Sequence, residues 1–208
     1  FSVLESDFGD LSVVSAWNSE TTVADIRAGT NRNGKRLIDI EGSYDPEARK
    51  LDLNAQADQL PVEALNSLLD IFASDINGTA SGKIRLSGES GNLVLKGALF
   101  AENTSMKIDF LQTRYTMNDS IRFDKNNIIF RNIRLSDEKG NSATLNGSVF
   151  HDYFKNYRAD LLINTDKCMV LNTKPRDNDI FYGTAYATGV TTIKSGTNSL
   201  SFDISAKT

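Results

Sequence analysis

Leu51, Leu53, Ala55 and Ala57 alternate with Asp52, Asn54 and Gln56, and this period of two is what most limits the folds open to the chain. Successive side chains of a strand point to opposite faces, so such a run predicts a strand with one apolar and one wet face. The pattern returns in Lys83-Ile84-Arg85-Leu86-Ser87, Lys107-Ile108-Asp109-Phe110, Ile121-Arg122-Phe123, Ala159-Asp160-Leu161 and Leu200 to Ala206. Turn signals separate the runs: Asn33-Gly34, Asp45-Pro46, Ser90-Gly91, Asp124 to Asn127, Glu138-Lys139-Gly140 and Gly196-Thr197-Asn198. Nineteen asparagines against three prolines suit many short hairpins. The expectation is an all-β chain of about a dozen mostly antiparallel strands.

One segment breaks the period. From Pro61, the spacing of Leu65, Leu68, Leu69 and Phe72 is that of one helical face, with proline suited to the first turn and Glu63 near the positive dipole end. A short amphipathic helix near 61–73, closing one end of the β core, is expected. Its polar face carries Glu63 and Asp70 without Lys or Arg, which an anionic lipid surface would not attract.

A weak repeat follows, in which a strand crosses a glycine and returns. It reads Ile38-Asp39-Ile40-Glu41-Gly42, Ile84-Arg85-Leu86-Ser87-Gly88, Ala143-Thr144-Leu145-Asn146-Gly147 and Ala185-Tyr186-Ala187-Thr188-Gly189. The spacing is too irregular for a propeller or tight solenoid. Glycines inside strands permit bends or bulges, and repeated bends would curl a long sheet into a trough.

Composition removes several functions. Lys plus Arg number 23 against 27 Asp plus Glu, net −4 and evenly spread, so no concentrated basic surface for nucleic acid exists. One cysteine, Cys168, and one histidine, His151, cannot form an internal disulfide or a Cys/His zinc site. A nucleophile system would have to use His151, which reads instead as a surface or rim residue at a strand end. Asp177 and Asp179 near Asn178, and Asp119 with Asp124, offer oxygens for calcium but lack any known calcium-loop spacing. Paired carboxylates alone are a weak basis for a glycosidase. Tyr153, Phe154 and Tyr157 read as alternating strand residues at a rim, with an aromatic sugar platform as the other reading. The sequons at Asn77, Asn103, Asn118 and Asn146 follow from composition. No catalytic residue, cofactor or metal is expected.

About a dozen strands, each of about eight residues, make a sheet on the order of 55 to 60 Å long and about 26 Å wide whose apolar face cannot stay exposed. It closes, stacks, or lines a groove holding something apolar. The residues in phase for that lining are Ile38, Ile40, Leu51, Leu53, Ile84, Leu86, Leu93, Leu95, Ile108, Phe110, Ile121, Phe123, Leu145, Val149, Leu161, Ile163, Leu200, Phe202 and Ile204.

The run from Asp75 through Gly78, Ser81-Gly82, Gly88 and Asn92 to Gly97, preceded by Leu60-Pro61, resembles the repeat of the TamB family. Ser105 to Leu111, Ser120 to Phe123 and Asp179 to Gly189 are similar to Bacteroidetes members of that family. The resemblance covers about residue 35 to the end. It implies a taco-like β-groove, one elongated segment over 1–208 with weak subunits at about 1–60, 61–140 and 141–208. It further implies a periplasmic location in a Gram-negative envelope, a parent anchored in the inner membrane, a TamA-like outer-membrane barrel partner, and phospholipid or outer-membrane protein clients. The start at Phe1 without methionine or signal is expected of an excised piece. Two functions stand from this reading: an apolar conduit shielding lipid tails or client strands, and a scaffold pairing its edge strands with a partner. A surface glycan-binding domain is the outsider.

Overall fold

A computed structural model describes residues 2–3, 6–7, 9–63, 73–177, 182–196 and 199–207. After a small pair of strands, β1 (Ser2–Val3) and β2 (Ser6–Asp7), comes one antiparallel sheet of twelve strands in chain order. These are β3 (Asp10–Asn18), β4 (Val23–Arg32), β5 (Lys35–Asp45), β6 (Lys50–Pro61), β7 (Ala73–Glu89), β8 (Asn92–Ile108), β9 (Thr113–Lys125), β10 (Asn127–Asp137), β11 (Ser142–Phe150), β12 (Arg158–Thr173), β13 (Gly183–Ser195) and β14 (Leu200–Lys207). Each pairs only with its sequence neighbours, so the sheet is an open, curved meander with β3 and β14 at its edges. The all-β class follows from the alternation, and neither a barrel nor a sandwich forms.

The turn chemistry explains the register. Arg32 pairs with Lys35 around Asn33 (φ 53°) and Gly34 (φ 81°), the two left-handed residues that a tight hairpin requires. Asp45 accepts from the amides of Glu47 and Ala48 in the next turn. The helix expected near 61–73 falls mainly on 64–72, outside the described residues. Its expected first-turn residue, Pro61, is instead the last residue of β6, opposite Thr79.

Strand length departs from expectation. β7 and β8 have 17 residues each and β12 has 16, where about eight per strand had been expected. The long strands stay in one sheet because they bend at register shifts, which fall near the end of β6, near the start of β7, and within β8, β10 and β12. At four of these shifts a residue with positive φ has its amide held by a side chain of the following strand. Gln59 N–H donates to Ser81 Oγ (2.8 Å), Asn103 N–H to Asn118 Oδ1 (2.6 Å), Asn132 N–H to Asn146 Oδ1 (2.8 Å) and Lys167 N–H to Thr188 Oγ1 (2.9 Å). A bulge takes its residue's amide out of the ladder, and an unpaired amide costs free energy. Here Ser, Asn or Thr supplies the missing acceptor each time, and the shifts form a crease across the sheet.

The repeat glycines divide between two jobs: Gly147 and Gly189 border the register shifts of β10 and β12, where bends were expected, and the other two do not. Gly42 and Gly88 sit in unshifted stretches of ladder. At Gly147 (φ 121°), an added Cβ would lie 2.1 Å from the Asp160 carbonyl oxygen. These positions let the neighbouring backbone come close and the sheet coil, while polar residues make the bulges.

Beyond the crease, towards the turns at 33–34, 109–112 and 138–141, the side chains are covered. Ala73, Ile76, Thr104, Thr113, Met117, Ile133, Asp137, Cys168, Met169 and Ala187 are buried there. One cluster joins Val62, Ile76 and Ala80 with Leu99 and Met106; a second joins Ala101, Met117 and Ile133 with Ile121, Phe130, Leu135 and Leu145. At this rim the sheet bends far enough for β12 to reach β9. Asn172 N–H donates to Leu111 O (2.9 Å) and Tyr115 Oη to Met169 O (2.7 Å).

Candidate functional site: an uncovered apolar face

The register carries one face of the sheet from end to end. Val13, Ala28, Ile40, Ala55, Ile84, Gly97, Phe123, Ile128, Val149 and Ala159 are successive partners across ten strands, with no polar side chain among them. A neighbouring row runs Leu11, Thr30, Ile38, Ala57, Gly82, Leu99 and Ile121; past the crease in β10 it resumes with Phe130, Gly147, Leu161, Ile193 and Phe202. At a strand spacing of about 4.8 Å, eleven intervals give an apolar strip roughly 53 Å long.

Of the nineteen residues expected to line a groove, eighteen fall on this face. Ile38, Ile40, Leu51, Leu53, Ile84, Leu86, Leu93, Leu95, Ile108, Ile121, Phe123, Leu145, Val149, Leu161 and Ile163 are all half-buried. Ile204 is exposed. Leu200 and Phe202 are placed by register opposite Ser195 and Ile193, and their side chains lie outside what the structure describes. Phe110 is the exception, because β8 ends at Ile108 and the residue sits exposed in the turn that follows. Alternation overlooked Val13, Ile26, Leu99, Ile128 and Ile193 on the same face. Val13-Val14 and Ile128-Ile129 are apolar doublets, whose phase only the ladder resolves.

Uniform half-burial is the telling property. A packed core buries its large side chains, yet among the described residues only thirteen apolar ones are buried and six of them are alanine. The chain exposes 12880 Å², against about 9,600 Å² for a compact monomer of its 22.9 kDa mass. The difference, roughly 3,000 Å², is surface that a one-layer sheet leaves uncovered on its two faces. The opposite face is more polar: Asp39, Glu41, Asn54, Gln56, Lys83, Arg85 and Lys96 line a broad open depression there, with ion pairs Arg85–Asp52 and Arg36–Asp39, although Val14, Phe100, Leu162 and Val190 stand exposed elsewhere on it. The Arg85 guanidinium holds the Asp52 carboxyl below its usual range.

Polar groups on the apolar side concentrate beyond the crease. The Asp137 carboxylate, 5% exposed, accepts from the amides of Lys139, Asn141 and Met169 and from Asn141 Nδ2. Burial alone would raise its pKa, but these four donors together lower it. Burial pushes the Tyr115 hydroxyl up to about 12 and, with the Asp137 charge, the Cys168 thiol up to about 11. The knot pins β10, β11 and β12 together and leaves no reactive nucleophile at neutral pH.

The other sequence candidates do not converge. His151 follows β11 at the rim, as expected, but is buried, its Nδ1 accepting from Phe154 N–H (3.0 Å). Tyr153, Phe154 and Tyr157 lie in the loop between β11 and β12 rather than in a strand. Asp119 accepts from the Ser120 amide, Asp177 from the Lys174 amide, and Asp179 and Asn178 lie outside the described residues. Among the described residues no three His, Cys, Asp or Glu side chains are grouped to hold a metal, and no helix is long and apolar enough to cross a membrane. No protein-family model, curated protein or solved structure matches the chain.

Proposed function

We propose that this sheet is a segment of an envelope conduit, whose apolar face shields phospholipid acyl chains from water between inner and outer membrane. The observation that carries the reading is the apolar row from Val13 to Ala159, continuous over ten strands with every member half-buried or exposed and none buried. Each acyl methylene removed from water contributes about 0.8 kcal/mol, so a chain crossing a few strands is held while free to slide. Nothing on the face fixes a headgroup, which suits passage better than capture. The TamB-like resemblance supplies the setting: a periplasmic location, a parent anchored in the inner membrane, a TamA-like barrel partner, clients that are lipids or outer-membrane proteins, and no catalytic step.

The test is mass spectrometry of lipids retained by the purified protein, with photocrosslinkers at Leu86 on the apolar face and Arg85 on the polar one. Lipid adducts from position 86 and none from 85 are expected. Equal yields, or no retained lipid, would refute the proposal. One feature favours the scaffold as a second reading. β3 carries no charge and no proline between Leu11 and Asn18, and pairs with β4 without a shift, so its outer edge lacks the usual guards against strand addition. Val14→Pro should abolish partner capture if the edge acts and leave lipid retention intact if the face acts.

A further inference from the structure

The loop between β11 and β12 concentrates aromatic side chains to an unusual degree. Phe150, Tyr153, Phe154 and Tyr157 fall within eight positions of a chain that has 18 Phe, Tyr and Trp among 208 residues. All four are exposed, Phe154 to 42% and Tyr157 to 55%. Exposure of this kind is usually the mark of a mobile loop, but this one is built. Asp152 and Lys155 exchange backbone hydrogen bonds (2.7 and 3.1 Å), and Arg158 donates to Asp152 (3.2 Å). The amide of the buried His151 donates to Asn126 O (2.8 Å), its Nδ1 accepts from Phe154, and its ring stacks on Phe154 at 4.8 Å with Tyr157 tilted against it at 5.7 Å.

The backbone is held in an unfavourable form to achieve this. Tyr153 (φ 52°) and Phe154 (φ 65°) are consecutive left-handed residues and Asn156 (φ 51°) is a third. Aromatic side chains disfavour that region, and such strain persists where something around it fixes the geometry. Fixing it here holds aromatic rings out in water, the opposite of what folding alone would select.

Charge says what covers them. Residues 150–160 hold Lys155 and Arg158 against Asp152 and Asp160, and Lys194, opposite Asp160 in the ladder, lies beside Phe150 and Arg158 in a neighbouring depression, so that the patch is net +1 in a chain of net −4. Aromatic rings flanked by cations match the headgroup region of a phospholipid bilayer, where an amphipathic ring sits at the boundary and a cation meets phosphate. A sugar platform would need free carboxylates or amides to bind hydroxyls, whereas Asp152 is engaged by Arg158 and Asp160 faces Lys194 across the ladder, which leaves Lys155, among the described residues, as the loop's unpaired charge. The loop also stands at the rim where the apolar row ends in Val149 and Ala159.

We infer that the 151–157 loop is a bilayer-docking element that seats this rim of the sheet in the interfacial region of a phospholipid membrane. The inference does not require the apolar face to carry lipid. The 208-residue protein with Trp17→Phe, its only tryptophan removed, and Phe154→Trp gives a single reporter at the loop. With vesicles of phosphatidylethanolamine and phosphatidylglycerol, its emission should shift to the blue, and brominated acyl chains should quench it. The variant Tyr153→Ser/Phe154→Ser/Tyr157→Ser should lose vesicle binding by about tenfold or more. If it fails to fold, Tyr157→Ser alone should weaken binding several-fold. Vesicles that leave the reporter unchanged, or a triple variant that is folded and binds as before, would overturn the inference. So would an envelope oligosaccharide that shifts the reporter where vesicles do not. Lipid retained by the triple variant would sustain the conduit while the docking is lost, and vesicle binding by a lipid-free protein would do the reverse.

Discussion

Ile84 and Ile133 have the same side chain and the same secondary structure, and differ in what lies over them. Ile84 is half-buried in the middle of the ten-strand row, while Ile133 is 0% exposed in the cluster beyond the crease. Aspartate at Ile84 removes about half of an isoleucine's transfer free energy, roughly 1 kcal/mol, and keeps its charge hydrated. For a chain of this length that lowers Tm by about 2–4 °C. At Ile133 the cost is the full transfer and cavity terms, roughly 2–5 kcal/mol, plus that of burying a charge without a partner. Total stabilities are about 5–15 kcal/mol, so Ile133→Asp should leave little folded protein. For an acyl ligand the order reverses. A chain lying along the sheet passes roughly four methylenes over each strand, so a charge at Ile84 forfeits about 3 kcal/mol, a hundredfold or more in affinity. Thermal unfolding followed by circular dichroism, paired with displacement of a fluorescent fatty acid, reads both. If Ile84→Asp destabilises as much as Ile133→Asp, the face is a covered core and the argument from half-burial fails. Unchanged fatty-acid affinity in a folded Ile84→Asp protein would remove the acyl chain from this face.

Four further outcomes follow from the polar groups. Asn146→Ala removes the acceptor of the Asn132 amide and should cost about 1 kcal/mol, with faster hydrogen exchange at Asn132 than at its neighbours. Asp137 has a folded pKa below the ordinary 3.8, so its contribution is complete above about pH 4 and is lost as pH falls through the lower folded value. Asp137→Asn should abolish that part of the acid transition and cost about 1–3 kcal/mol at pH 7, because an amide nitrogen then faces one of its donors. The Cys168 thiol, raised from 9.0 to about 11, should resist maleimide in the native state. Its contribution falls between pH 9 and 11, where the unfolded thiol ionises and the buried one does not. The His151 pKa is lowered from 6.5, chiefly by burial and against the pull of Asp152, so stability declines as pH drops below about 6.5. Protonation removes the acceptor for Phe154 N–H, and ring resonances of Phe154 and Tyr157 should broaden or shift together in that range.

Alternation alone placed eighteen lining residues on one face, because a period of two survives any uncertainty about where a strand begins. It misplaced Phe110, since nothing in Lys107-Ile108-Asp109-Phe110 signals that the ladder stops at Ile108. The crease was not legible for a related reason. Gln59, Asn103, Asn132 and Lys167 look like ordinary solvent-facing positions, and the residues that complete them, Ser81, Asn118, Asn146 and Thr188, lie 22, 15, 14 and 21 residues further on. The partner of a bulge is set by register, which a single sequence does not state. Glycine's freedom is intrinsic and shows in a sequence, whereas a bulge at asparagine depends on what faces it. The loop aromatics were assigned to a strand for want of any residue announcing left-handed backbone at Tyr153 and Phe154.

The bulge caps also explain how an open apolar sheet can be tolerated. A flat sheet of this length with one greasy face and two free edges would stack on another copy, as aggregating sheets do. Bending the sheet along these shifts prevents two copies from lying face to face, because a creased surface presents no plane to its twin. The bend must cost little, or the strands would straighten, and the side-chain acceptors at Ser81, Asn118, Asn146 and Thr188 meet that condition by satisfying the amides the bend releases. The covered half beyond the crease then holds the curvature through Ile133, Met117 and the Asp137 knot, so the other half can stay open without needing a core of its own. On this view stability and passage are divided between the two halves of the same strands. Substitutions beyond the crease should act on folding, and those on the near side on whatever the face carries.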